Sequence, residues 1–488
     1  MSNLLWLTPL ISVAVALAML VVHDRRVLSL LDLCGAFAVL ILGLVIARDV
    51  GVHGPSQSGL LRADALAVVF LLLLGLIAVS VAIYSVGWMK GEVDSGHLPL
   101  KQVRYYFALV HGFIATMVVT VLADNLGVLW IAMEGTTITS AILVGFRGNQ
   151  HGLEAAWKYI IVTTVGIAFG LFGTVLIYAA AAHTQGGVFT GAMSWVSIAT
   201  ISKQLDPAIV RIGFIFVMIG YGTKAGLAPM HMWLPDAHSQ APTPVSALLS
   251  GALIKCAIFG IIRFHIIARA ACGPEFSGEL LLIFGLVSVV VATPFILAQH
   301  DVKRLLGYHS VEHIGIVALG LGFGGHLGVY GALLHVINHG VTKALVFLGA
   351  GELIARYHSR DMRTIRGYFG VAPVGATLLL FGTLSLAGLP PFSIFVSELL
   401  VVAAGINAGH MFAVGIFLLM LLIIFAGLIH HVGEMVFGTA SAEVSREREQ
   451  VSPLVGMMLL AALMLALGLF IPVPLDQLLT QAVEVVLD

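Results

Sequence analysis

Three lysines and three glutamates of this 488-residue sequence stand inside stretches that are otherwise nearly free of charge: Lys224, Lys255 and Lys343, and Glu134, Glu312 and Glu398. All six can gain or lose a proton, and an ionised side chain in an apolar medium costs about 2.5–3.5 kcal/mol at mid-depth. Six unpaired charges would cost roughly 15–20 kcal/mol, more than the roughly 5–15 kcal/mol that holds a typical fold together. They must therefore be paired, hydrated or neutral. They could serve as structural ion pairs, but apolar replacements of a buried pair usually stabilise as well, so a chain sparing of charge has little structural reason to keep them. His335 and His339 precede Lys343 at i, i+4 and i+8 on one helix face. Two imidazoles in line with a lysine suit proton relay, since imidazole exchanges protons near neutral pH. Packing is the plainer alternative for them. A zinc site is disfavoured, because the acid of HExxH is missing and no third ligand stands nearby in the sequence. His231, His238, His309 and His313 lie near helix ends, where both a place on a hydrated path and a loop role stay open.

The elements that must position these groups are membrane helices. The sequence is 59% hydrophobic and 10% charged, against about 25% charged in soluble proteins, and its mean hydropathy is +1.04. A net charge of −1 offers no basic face for nucleic acid. Cys34, Cys256 and Cys272 are too far apart for an iron–sulfur or zinc cluster, and no haem or dinucleotide motif is present, so no cofactor and no redox chemistry of its own are expected. Residues 4–22 lack a basic leader region and are read as a retained first span. Windows of about 20 apolar residues recur to give about fourteen spans, among them 126–146, 208–228, 244–268, 304–323, 327–353 and 372–388 as the fifth, seventh, eighth, tenth, eleventh and twelfth. Lipid leaves helices as the only spanning structure at this hydropathy. The expected fold is all-α, one polytopic bundle over residues 1–488.

Of the 24 lysines and arginines, 15 fall after odd-numbered spans and 6 after even-numbered ones. The remaining three are Lys224, Lys255 and Lys343. The positive-inside rule puts the richer side in the cytoplasm and both termini outside, in a bacterial or archaeal inner membrane.

Two spans are interrupted by proline. Pro229 and Pro235 break GLAPMHMWLPDAH (226–238) after Lys224, and Pro390 and Pro391 break LAGLPPFSIFVSE (386–398) ahead of Glu398. Proline leaves a carbonyl without its donor, tolerated at depth only beside protein or water. Interrupted helices at matching places in two halves point to an inverted repeat and its ion site; ordinary kinking is the alternative. Glu134 precedes Lys224 by 90 residues and Glu312 precedes Glu398 by 86, which fits five-span repeats at 105–270 and 279–437.

The stretch GYGTKAGLAPMHMWLPDAHSQAPTPVSALLSGALIKCAIFGIIRF (220–264) resembles the antiporter-like subunits of respiratory complex I, Mrp antiporters and membrane-bound hydrogenases. DVKRLLGYHSVEHIG (301–315), HGVTKALVFLGAGE (339–352) and RADALAVVFLLL (62–73) extend the similarity over nearly the whole chain. The resemblance implies fourteen core helices, two inverted five-helix repeats and broken helices 7 and 12. It places the family's fifth-helix glutamate on Glu134, its seventh-helix lysine on Lys224 and its connecting lysine on Lys255. Its eleventh-helix group falls on His335, His339 and Lys343. Glu398 stands where Mrp members and the large complex I subunit typically have lysine, and the chain ends soon after span fourteen, without the long lateral helix of that large subunit. Length and PPFSIFVSE look most like component F of hydrogenase-4. The implied activity is proton translocation coupled to electron transfer elsewhere in a multi-subunit respiratory complex with a hydrophilic redox arm. In physical terms, Lys224 paired with Glu134 keeps its proton, and separating the two favours its release toward Lys255, the eleventh-helix group and Glu398. A sodium/proton antiporter of the Mrp kind uses the same helices and stays open. A quinone- or metal-binding redox enzyme and an unrelated solute transporter find no support in the motifs.

The charge asymmetry predicts that a reporter fused after Asp488 is active on the periplasmic side; a fusion active only in the cytoplasm would reverse the topology.

Overall fold

The computed structural model describes residues 2–96, 98–187, 191, 193–440, 444 and 448–487. Arg446, counted among the basic loop residues, and both terminal residues lie outside them. The described chain is a bundle of helices joined by short links. In order these are α1 (Ser2–Val21), α2 (Arg25–His53), α3 (Ala65–Asp94), α4 (Leu100–Leu122), α5 (Leu126–Val144), α6 (Gln150–Thr184), α7 (Trp195–Thr200) and α8 (Pro207–Ala225). There follow α9 (Leu234–Gln240), α10 (Thr243–Leu248), α11 (Ile254–Cys272), α12 (Pro274–Leu297), α13 (Val302–Phe323) and α14 (Gly325–Tyr357). The last are α15 (Tyr368–Val371), α16 (Pro373–Leu386), α17 (Ser393–Asn407), α18 (Met411–Val436), α19 (Val451–Leu469) and α20 (Val473–Leu487). Asp24, Asp64, Asn125, Asn149, Asp206 and Asp301 start helices by accepting from free amides of the first turn.

Twelve helices, counting α10–α11 as one, are long and apolar enough to cross a membrane. The protein is an integral, polytopic membrane protein. Two further expected spans escape a test of length and hydropathy, for different reasons. The twelfth is split into the short pieces α16 and α17. The tenth, α13, carries Lys303, Arg304 and Glu312, yet almost every one of its residues is buried, so its polar groups face protein rather than lipid. Burial is graded across the bundle. The most apolar windows of α10–α11 and α14 are wholly covered, whereas those of α1 and α18 are 28% covered. Lys255, His335, His339 and Lys343 ride on the wholly covered helices, where lipid does not reach them.

Both expected breaks are present. α8 stops at Ala225, Gly226 takes a left-handed φ of 83°, and the chain becomes helical again at Leu234. α16 stops at Leu386, Gly388 has φ 67°, and α17 begins at Ser393. The Ala228–Pro229 and Pro390–Pro391 bonds are cis.

Several expectations are corrected. The twelfth span does not end at 388: Glu398 belongs to its second half, α17. The eighth span is not one regular helix, because a π-turn at Leu249–Leu253 interrupts it. Arg263 is not a loop residue; it is buried within α11 and pairs with Asp64 at 2.8 Å, which widens the asymmetry of the loop charges. A small antiparallel hairpin, β1 (Ser56–Ser58) with β2 (Leu61–Ala63), sits between α2 and α3, and α20 follows the last span.

Close helix contacts are made by glycine. At Gly220 on α8 a Cβ would lie 2.3 Å from the Gly170 amide nitrogen of α6, whereas at Gly51 nothing lies within 4 Å. Gly220→Val must force these backbones apart, at about 1–3 kcal/mol or more for overpacking. Thermal melting of the purified chain should show a clear loss for Gly220→Val and none for Gly51→Ala.

Candidate functional site

Lys224 occupies the last turn of α8, just before the break, and is fully buried. Its Nζ donates to the Thr137 hydroxyl and to the Tyr159 hydroxyl, both at 2.7 Å. The expected direct ion pair with Glu134 is not present. Thr137 Oγ1 stands between them, receiving from Lys224 and donating to Glu134 Oε2 at 3.2 Å. Glu134 Oε1 accepts from Thr164 at 2.9 Å, and the Glu134 side is partly exposed among the outward-facing Ile131, Ile138 and Trp157. The reason is rotational: Thr137 lies one turn along α5 from Glu134 and nearer the bundle centre, so the shorter side chain reaches the ammonium first. Tyr159 is fixed in turn by Ser140 at 2.7 Å and by stacking on Trp233, whose indole N–H donates to the Thr223 carbonyl at 2.8 Å. The break thus adds a side-chain donor to a carbonyl of the last turn that also accepts from the Gly226 amide at 3.2 Å.

Lys255 follows the π-turn and donates to the Ser250 carbonyl inside it. Ser250 and Ser310 share a hydrogen bond at 2.8 Å, which ties this lysine's surroundings to α13. Lys343 donates to the Leu306 carbonyl of the same helix at 2.6 Å. Among the described residues, none of the three lysines has a carboxylate within 4 Å.

The histidines converge more than their spacing indicates. Nδ1 of His313 and Nε2 of His335 share a hydrogen bond at 3.1 Å, and His335 Nδ1 meets Ser397 Oγ at 3.0 Å. Ring centroids of His313 and His339 are 4.6 Å apart, and those of His309 and His313 6.1 Å, with planes within 28° of parallel. His309 Nδ1 lies 2.8 Å from Glu312 Oε2. All are fully buried, and both nitrogens of His339 lack a partner. The expectation of no third ligand beside His335 and His339 did not foresee His313, which approaches both from α13; the ligand atoms of His309, Glu312 and His313 themselves lie within 4.8 Å of one another. The Glu312–His309 and His313–His335 bonds use one nitrogen or oxygen of each residue, so the geometry serves hydrogen bonding as it stands.

Glu398 is buried in α17, its Oε1 without a partner, and packs over Gly388 so closely that a Cβ there would lie 2.3 Å from Oε2. His238 is buried, stacked 5.0 Å from Phe347 on the turn after Lys343, with neither nitrogen bonded. His231 sits apart in the first break, against Phe295 and Tyr308. Pro229 and Pro390–Pro391 lie in the breaks themselves, whereas Pro235 lies in the first turn of α9 and starts the returning helix. Sequence reasoning missed Thr137, Tyr159, Ser310 and Ser397. Their signal was present as hydroxyls in apolar spans, such as TTITS at 136–140. It also missed a buried Asp32–His111 pair at 3.0 Å between α2 and α4.

Residues 123–424 match the family model described as NADH:quinone oxidoreductase/Mrp antiporter, transmembrane. The chain belongs to this family. It is 36% identical over 413 residues to a hydrogenase-4 component F homolog of Methylacidiphilum infernorum, covering 84% of this chain and 85% of that one. The fold is shared with a chain of an archaeal membrane-bound sulfane sulfur reductase (TM-score 0.86, 22% identity, covering 100% of this chain and 98% of that one). It is shared equally with a chain of the Mrp complex of Dietzia (TM-score 0.85, 19% identity, covering 100% and 99%). In this family member, Lys224, Lys255, the histidine group and Glu398 all lie on helices that the matched region contains.

Among the described residues, the Thr137 hydroxyl is the one group bonded to both Glu134 and Lys224. Thr137→Val should lower proton transport while Thr137→Ser retains it. Leaving the buried Lys224 ammonium without this acceptor should cost about 1–3 kcal/mol. Proton uptake and thermal melting of the two variants, measured together, check this; equal uptake by both would take Thr137 out of the path.

Proposed function

We propose that this chain moves protons across the membrane as an antiporter-like subunit of a respiratory complex of the hydrogenase-4 or complex I kind, driven by electron transfer in other subunits. The observation that carries the reading is the way the buried lysines are held. Lys224, Lys255 and Lys343 rest on hydroxyls and carbonyls rather than carboxylates. A carboxylate at contact distance would hold the proton on the lysine; a neutral acceptor accommodates the ammonium and leaves release within reach of a modest change in surroundings. The His313–His335–Ser397 bonds then offer proton acceptors leading to α17, where Glu398 terminates the series.

The roles follow from position. Glu134, through Thr137, sets whether Lys224 stays charged. Lys224 releases its proton, Lys255 and the His335, His339 and Lys343 group pass one on, and Glu398 gives one up at the far end. Glu312 and His313 join this route on α13, while His231 and His238 are side positions. The two breaks, and the matching spacings of 90 residues from Glu134 to Lys224 and 86 from Glu312 to Glu398 within the halves, support inverted repeats at 105–270 and 279–437. The basic loops support termini on the outer side of a cytoplasmic membrane. Neighbouring membrane subunits are the partners.

Lys224→Arg keeps the charge but cannot deprotonate at accessible pH. Proton uptake in vesicles, normalised to assembled complex, should fall at least about tenfold for Lys224→Arg and further for Lys224→Ala, with Glu134→Gln impaired and still assembled. Native uptake by Lys224→Arg would make the lysine a structural cation. Uptake that requires sodium would instead place the chain with the sodium/proton antiporters.

A further inference from the structure

On the basic side of the bundle lies a cavity of about 780 Å³ that the line of buried groups does not use. It forms where the ends of α3 and α14 meet the beginnings of α10, α13 and α19, and basic side chains dominate its wall. Of these, Arg147 is matched by Glu92 at 2.6 Å. Glu352, the other acid of the wall, stands one helical turn from Arg356. Lys303, Arg360 and Arg448 remain, and among the described residues none has a carboxylate within 4 Å.

Lys303 is the decisive one. It is 2% exposed, yet its ammonium, with three hydrogens to give, donates to one neutral acceptor, the Ala241 carbonyl, at 2.7 Å. Arg360 makes only a long contact to Ser239 Oγ at 3.5 Å. Asp301 and Glu92 also face Lys303, as do the guanidinium groups of Arg360 and Arg147. An ammonium buried beside guanidinium groups is costly unless an anion joins them.

We propose that this cavity binds a phosphate-type oxyanion, with Lys303, Arg360 and Arg448 as its donors. A tetrahedral anion with several oxygens can take a point donor and guanidinium forks together. Basic pockets between helices on the cytoplasmic side are a recurrent way of holding acidic headgroups, and the volume suits a phosphodiester with its glycerol as well as free phosphate. The site is independent of the proton-transfer reading, because none of its donors lies on that line.

The test measures binding to the full-length chain in two forms. Detergent-solubilised protein is titrated with inorganic phosphate against acetate at matched ionic strength, following thermal stability. Protein in nanodiscs of phosphatidylcholine is compared with discs doped with cardiolipin. Saturable stabilisation by phosphate identifies a free anion, and stabilisation by cardiolipin alone identifies a lipid headgroup; both support the site. In either form Lys303→Met and Arg360→Gln should weaken the effect by about tenfold or more, while Lys101→Gln, outside the cavity, leaves it unchanged. Should Lys303→Met fail to fold, Arg360→Gln and the exposed Arg448→Gln decide. Three results overturn the proposal: no stabilisation in either form, stabilisation that survives the cavity variants, or acetate acting as well as phosphate.

Discussion

An ammonium taken into a helical bundle inside lipid has to find its acceptors within the fold, and in this chain the acceptors are neutral. Lys224 rests on Thr137 and Tyr159, Lys255 on the Ser250 carbonyl, Lys343 on the Leu306 carbonyl and Lys303 on the Ala241 carbonyl. A carbonyl inside a regular helix is already taken by the amide four residues on, and Leu306 within α13 gives Lys343 its second lone pair. For Lys255 and Lys303 the irregularities supply the acceptor. Ser250 lies in the π-turn, and Ala241 lies at the junction of α9 and α10, ahead of Pro242 and Pro244. The π-turn and the α9–α10 junction are thus part of how Lys255 and Lys303 are solvated, and straightening either would leave an ammonium with fewer acceptors.

The carboxylates keep apart from the lysines. Glu312 serves His309, Glu398 lies over Gly388, and Glu134 is tied to two threonines. Acid and base are joined through α13. Its Ser310 meets the turn that holds Lys255, its Leu306 carbonyl holds Lys343, and its His313 meets His335. The span that carries Lys303, Arg304 and Glu312 is therefore the one that connects the others, and its near-complete burial is what makes that polarity tolerable.

Much of this was legible beforehand, for particular reasons. Charges are so rare in the chain that Lys224, Lys255 and Lys343 stood out by residue type alone, and the paired prolines announced both breaks because no regular helix accommodates them. What escaped was whatever depends on rotation about a helix axis. Glu134 and Thr137 share a face at i and i+3, and only packing decides which of them is nearer Lys224. Thr137, Tyr159, Ser310 and Ser397 are common residues, given meaning by a partner 19 to 87 positions away. Arg263 was misplaced because its partner, Asp64, is 199 residues distant, and a lone arginine near a span end reads as a loop charge. The hairpin at 56–63 has strands of three residues each, too short for any alternation to show.

The placement of Glu134 has a consequence for coupling. Lys224 is sealed, so nothing outside the chain can touch it directly, but Glu134 stands partly exposed on the flank at membrane depth, among apolar side chains that face outward. In the proposed role, a neighbouring subunit that covers this flank acts on Glu134, and Thr137 carries that influence one hydroxyl inward to the lysine. A direct Glu134–Lys224 pair would hold the proton on Lys224 against such an influence. The interposed hydroxyl weakens the attraction while preserving the connection, which leaves the buried lysine responsive to events in the next subunit.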